Sequence, residues 1–143
     1  MLGVTDSHNN NEISHEKQIQ LATCILLIEV SKSDDDFDSM EINNIKEIIK
    51  NKFKLDINDL DKLFSKSDDT HKEMTSLYEW TDIIKQECTY DEKLKIIGYM
   101  WQVAFTDSRI DKYEDYTIRK VSDLIHVKHA DFMKLKQLNS TSI

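Results

Sequence analysis

The chain contains no proline and only two glycines, Gly3 and Gly98, among its 143 residues. Tight hairpins and strand ends rely on those two residue types, so a β-rich fold has almost none of its usual punctuation here. What divides the chain instead is a series of helix caps, each followed by apolar residues at spacings of three and four. Residues 1–13 are polar and asparagine-rich and are expected to form a disordered tail, with the folded domain over 14–143.

Ser14 opens a predicted first helix carrying Ile19, Ala22, Ile25, Leu26 and Val30. It is apolar on nearly every side, a pattern that belongs in the middle of a domain. Asp38 opens a second helix with Ile42, Ile45, Ile48 and Ile49, ending near Phe53, and Asp56 caps a short third with Leu60, Leu63 and Phe64. A long fourth is expected from about Thr70 to Glu87. The stretch "TYDE" (89–92) has the form of a capping box for a fifth, with Leu94, Ile97, Trp101 and Ala104. Asp111 opens the sixth, with Tyr113, Ile118, Val121, Leu124 and Ile125, and the last starts near His129 with Phe132, Met133 and Leu135. Seven helices with short polar links make an all-α, compact single-domain bundle.

Composition narrows the function. At 32% charged and 39% apolar residues, this is an ordinary soluble chain. A formal charge of −8 disfavours nucleic acid and anionic lipid, both of which call for a basic surface, and leaves basic protein partners and metal cations open. Cys24 and Cys88 both fall in helical patterns and are expected to be reduced and buried. The start "MLGVTDSHNNNEISHEK" lacks a basic and then apolar leader, and "LATCILLI" (21–28) is too short to cross a bilayer. A cytoplasmic location without membrane insertion is the expectation.

The first two helices resemble the fifth and sixth at a constant offset of 73 residues. Asp34 matches Asp107, Phe37 matches Ile110, Asp38 matches Asp111 and Glu41 matches Glu114; Ile45 and Ile48 match Ile118 and Val121. With one residue of slippage, "KLDINDL" (54–60) matches "HVKHADF" (126–132). Two large copies point to a pseudo-two-fold domain rather than a solenoid. Residues 18–53 and 91–126 are expected to superpose as helix–loop–helix units, with their acidic loops on one side.

At "LLIEVSKSDDDFDSME" and "MWQVAFTDSRIDKYE", with "LYEWTDIIKQECTYDEKLKIIGYMWQVA" between them and "IRKVSDLIHVKHADF" after, the chain resembles the TerB-like proteins of tellurite resistance. The subgroup it is most similar to comprises stand-alone members related to the N-terminal region of a membrane-anchored DnaJ-like co-chaperone. The resemblance implies a compact helical domain with pseudo-two-fold symmetry and no established catalysis. It also implies a metal site built from the acidic loops, carried here onto Asp34, Asp38, Glu41, Asp107, Asp111 and Glu114. One departure is that the family's glycine after the first aspartate of each loop is here Asp35 and Ser108.

Two readings of those carboxylates stand side by side. Asp38 and Glu41 are spaced as N-cap and N3 of a capping box, and Asp111 and Glu114 repeat the spacing. Capping does not account for Asp34 and Asp107. Each ends its preceding helix, where the macrodipole disfavours an anion by roughly 0.3–1 kcal/mol. A hard cation would offset that in both copies, calcium before magnesium because every candidate ligand is an oxygen. An EF-hand does not fit, since loop positions six and twelve fall on Ser39 and Ile45, or on Lys112 and Ile118.

The remaining suspects read as structural. Glu12–His15 is the single Glu-x-x-His pair, and His126 and His129 straddle a helix break. Trp80, Trp101, Phe105 and Tyr116 are expected in the core. Glu29, with Gln102 at the matching place, is either a buried hydrogen-bonded group or a partner of the acidic loops. No phosphate loop or nucleophile motif is present, so the chain is read as a non-enzymatic binding or scaffolding module of a tellurite, metal or envelope stress response. Its expected partner is a protein, membrane-associated by resemblance. The competing reading is a metal-free interaction domain whose acidic residues only cap helices.

Overall fold

The computed structural model describes the backbone of residues 2–31, 39–107 and 112–140, and the side chains of 15–31, 39–106 and 112–140. Seven α-helices occur among them: α1 (Leu2–Ser31), α2 (Ser39–Phe53), α3 (Ile57–Glu73), α4 (Tyr78–Glu87), α5 (Tyr90–Ala104), α6 (Lys112–Leu124) and α7 (His129–Ser140). A 3-10 turn, Phe105–Asp107, follows α5. The described residues contain no strand, and the expected all-α bundle of seven helices is the fold observed.

Two boundaries differ from expectation. The polar stretch 1–13 was expected as a disordered tail, but α1 runs back to Leu2, so Ser14 is interior to the helix. No proline interrupts this stretch, and a helix once nucleated adds residues at little cost. The third helix is long and the fourth short, the reverse of the expectation. The run "SKSDDTHKE" (65–73) has no apolar residue to mark it as a helix face, yet it completes α3. Its inward positions are polar ones: Ser67 is fully buried and donates to the Leu63 carbonyl at 2.7 Å. The break falls at Met74, whose extended backbone (ψ 146°) ends α3, and Ser76 then accepts from the Tyr78 amide at 3.1 Å to start α4.

Every residue from Ala22 to Ile28 is buried, and α1 touches α2, α3, α4, α5 and α6. It is the central helix that its all-round apolar pattern calls for. α7 closes the other side through Phe132, which lies 5.4 Å from the Trp101 ring of α5, centroid to centroid. Asp115 ties α6 to α7 by accepting from Lys136 at 2.7 Å. Trp80 and Trp101 are core residues as expected and Phe105 is half-buried, but Tyr116 is 62% exposed on the outer face of α6. Cys24 and Cys88 are both free thiols in the interior.

The repeat extends to three helices per copy. The link from α2 to α3 turns at Lys54 and that from α6 to α7 at His126, with φ of 54° and 66°, and these are the positive-φ non-glycine residues among those described. Each is followed by the same closing bond. Leu55 N donates to Lys50 O at 3.2 Å, and Val127 N to Ser122 O at 2.9 Å, the long-range bond of a Schellman ending. α3 then starts at Ile57 and α7 at His129, so the slipped sequence match of 54–60 with 126–132 is a match of helix endings and restarts.

Candidate functional site

Of the six carboxylates assigned by resemblance, two have described side chains. Glu41 lies in the first turn of α2 and is buried, 6% exposed; Glu114 lies in the first turn of α6 and is half-buried. Asp34, Asp38 and Asp111 lie outside the described residues. Asp107 is described by its backbone alone, as the last residue of the 3-10 turn. Among the described residues no three His, Cys, Asp or Glu side chains come close enough to hold a metal ion. Four of the six candidate side chains lie outside that set.

The helices that carry these positions cross. Asn44, three residues after Glu41, donates its side-chain amide to Thr106 Oγ1 at 2.6 Å, and Thr106 immediately precedes Asp107. Thr106 in turn donates to the Gln102 carbonyl at 3.2 Å. Tyr113, immediately before Glu114, donates its hydroxyl to Glu29 Oε1 at 3.1 Å, two residues from the end of α1. The second helix of each copy thus leans on the end of the other copy's first helix. This is the arrangement expected if both acidic segments lie on one side.

Glu29 is the centre of this end of the domain. Its other oxygen, Oε2, lies 2.5 Å from His71 Nε2, in the last turn of α3. The His71 hydrogen bond holds the Glu29 carboxyl below its ordinary value against the opposing effect of burial, with further help from Tyr113 and Lys120. An ionised carboxylate only accepts, so His71 Nε2 and the Tyr113 hydroxyl are both donors. The side chains of His71 and Glu29 are 12% and 17% exposed, which makes this a largely desolvated, charge-assisted cross-link among α1, α3 and α6. Of the two readings of Glu29, the hydrogen-bonded one describes these contacts, and the cross-link also sits where both acidic segments join their helices.

His71 carried no signal as a lone histidine in a polar run. It does extend the inward face of α3 through positions 60, 63, 64, 67 and 71, a helical spacing whose last two members are polar. Cys24 is fully buried. Burial pushes its thiol up to about 12, next to the Ser67 hydroxyl, which keeps it protonated at neutral pH. His129 packs near Phe132, ring centroids 5.8 Å apart, as a residue of the α7 start. The caps at 56 and 89 form as read. Asp56 accepts from Asp59 N at 2.8 Å, and Thr89 and Glu92 make both bonds of the capping box.

An open groove of about 900 Å³ runs beside the middle of α1, between α3 and α4. Leu21, Leu63, Trp80 and Ile83 give it an apolar floor; Lys62 and Lys66 stand on one wall and Glu79 on the other. No helix among the described residues is long and apolar enough to cross a membrane.

Residues 20–137 match the family described as tellurite resistance protein TerB. No curated protein and no solved structure matches the chain. The match takes in α2 to α6 whole, the last part of α1, most of α7, both acidic segments and the links that repeat between the copies, so this chain belongs to the TerB family.

Proposed function

We propose that this protein is a non-enzymatic binding module of a tellurite, metal or envelope stress response, acting from the cytoplasm. Its two acidic segments share one divalent cation, calcium first and magnesium second, through Asp34, Asp38, Glu41, Asp107, Asp111 and Glu114. The reading includes the finer kinship with the N-terminal region of a membrane-anchored DnaJ-like co-chaperone, and a protein partner that is itself associated with a membrane. Family membership supports the stress role, and the groove beside α1, with its apolar floor and charged walls, supports a protein partner.

The observation that carries the cation reading is the crossing of the helices. Asn44 bonds to Thr106, and Tyr113 bonds to Glu29, so the helix after each acidic segment is tied to the end of the other copy's first helix. A hard cation collects six to eight oxygens, and the assigned carboxylates of the two segments are the kind of ligand it takes.

The test is a thermal melt of wild type and an Asp34→Asn/Asp107→Asn double variant, first with chelator and then with each ion in millimolar excess. With chelator, the variant should match wild type or gain about 0.3 kcal/mol or more, because each change removes an anion from a helix C-terminus. With calcium at a hundred times its dissociation constant, wild type should gain about 2.7 kcal/mol and the variant little of it. If wild type melts at one temperature under every condition, the acidic segments are helix caps, and the metal-free interaction module replaces this reading.

A further inference from the structure

We propose that the groove beside α1 receives an amphipathic helix of a protein partner, one that lays apolar residues on the floor and acidic residues against α3. The proposal deepens the protein-partner reading above and rests on it. The groove exists because α1 packs on both α3 and α4, while those two make no comparable contact with each other. A gap between two helices over a third is the shape that another helix fills by ridges-into-grooves packing. Its floor is Leu21, Leu63, Trp80 and Ile83, extended by Phe53 and Leu55 where α2 passes into α3. All of these but Trp80 are half-buried, so an apolar strip is left partly in water, and covering it is favourable in proportion to the area removed.

The walls decide the form of the occupant. The lining comes from helices, whose backbone groups are already bonded to one another, and the described residues offer no strand edge. An extended segment lying there would bury its own N–H and C=O groups without partners, whereas a helix satisfies its own. Along α3 the lining runs from Asp59 to Lys66, roughly 10 Å of helix rise. That is two turns, the span over which a docked helix presents anchors at i, i+3 or i+4, and i+7.

Charge decides its chemistry. Lys62 and Lys66 stand one turn apart on the α3 wall, both exposed. Neither has an ion-pair partner among the described residues, although Asp61 and Lys72 on the same helix both do. A helix lying along α3 meets that pair with acidic residues four apart. On the α4 wall Glu79 is negative and also exposed, which favours a basic residue on the occupant's other edge. Toward the start of α3, Asp59 and Glu16 stand with Lys17, so the positive stretch is confined to Lys62 and Lys66. The chain as a whole, at a formal charge of −8, repels an acidic partner on average, so an acidic edge also selects this wall.

The probe is a pair of designed helical peptides with one leucine stripe, titrated into the full-length protein by calorimetry. The first carries two glutamates four apart on one edge; the second has glutamine in their place. The glutamate peptide should bind about tenfold tighter at low salt, and the difference should shrink toward parity at 1 M salt. Lys62→Glu/Lys66→Glu changes two exposed side chains, so the fold is not at risk, and should reverse the order of the two peptides. The same charge change on α7, Lys128→Glu/Lys134→Glu, should keep the wild-type order. Equal binding of the two peptides, or an order that Lys62→Glu/Lys66→Glu leaves unaltered, overturns the acidic edge. A glutamate peptide with a central proline should lose binding, and equal binding by it overturns the helical occupant. Wild type that self-associates in sedimentation, and ceases to in Lys62→Glu/Lys66→Glu, makes a second copy the occupant and overturns a separate partner. Photo-crosslinking in cells from positions 66 and 134 separates the groove from the reading it rests on. Capture of a protein at 134 but not at 66 overturns the groove and keeps the partner, while capture at neither overturns the partner reading itself.

Discussion

Glu29 carries its charge inside the helix that most needs to be apolar, and the sign of its titration can be followed through to stability. Its folded carboxyl is held below the ordinary glutamate value of 4.5, chiefly by the His71 hydrogen bond. A depressed carboxyl contributes stability that is fully present above its unfolded value and is lost as pH falls through the folded one. Glu29→Gln should therefore cost about 1–2 kcal/mol near neutral pH, the difference between a charged and a neutral hydrogen bond. That gap should begin to narrow below the ordinary glutamate value and close only below the depressed folded one, where wild type loses the charge too. Denaturant midpoints for both proteins at neutral pH and at about pH 3 check this, and a gap that stays constant would show that Glu29 is not ionised in the fold. The sequence marks Glu29 as anomalous because it interrupts an apolar helix. It leaves the partners of Glu29 invisible, since His71 sits in the polar run 65–73 and Tyr113 reads as one more aromatic at helical spacing.

Among the elements, those legible in the sequence have ends that cap themselves. Asp56 and the Thr89–Glu92 box each satisfy their own helix start, so local spacing is enough to place them. The α3–α4 division is less legible because α3 is held against α1 by Ser67 and His71, residues that pattern reading scores as surface. The two left-handed endings show how such a link can be matched before it is understood. Lys54 and His126 begin the matched segments, and both sit where glycine is usually found, at φ 54° and 66°. Both are exposed, so neither side chain loses packing when removed. Relief of left-handed strain, about 1–2 kcal/mol, outweighs the extra freedom that glycine gives the unfolded chain, about 0.5–1 kcal/mol. Lys54→Gly and His126→Gly should each raise stability by about 0.5–1 kcal/mol in chemical denaturation. Gly98, inside α5, should respond to the opposite change. A methyl there would meet Leu135 Cδ2 at 3.8 Å, an ordinary contact, and alanine is better in a helix by about 1 kcal/mol. Gly98→Ala should raise the denaturation midpoint, and a fall would mean that α5 and α7 approach too closely for the added carbon.

For the whole molecule, the internal repeat raises the question of whether the two copies are two folding units. The packing says they are not. α1 touches α2 and α3 from its own copy, but also α4, α5 and α6. Its buried run from Ala22 to Ile28 needs all of them, since a helix apolar on every side cannot be covered by two neighbours. α4 belongs to neither copy and packs on α1 and α6, one from each. Repeats that touch only their neighbours fold by additive increments, whereas a helix shared at the centre makes the copies interdependent. Cutting the chain in the link between α3 and α4 should therefore leave two fragments, 1–76 and 77–143, that are each largely unfolded alone. Circular dichroism of the separate fragments should show little of the native helix signal, and an equimolar mixture should recover most of it, with a melting point that rises with concentration as for any bimolecular fold. Independent folding of 1–76 would mean that α1 covers itself with α2 and α3, and the pseudo-two-fold would then be an assembly of two domains. The same logic bears on the acidic segments. If the halves fold only together, their crossing at Glu29 and at Asn44 forms in the same step as the core, and any cation shared between them binds the folded chain alone.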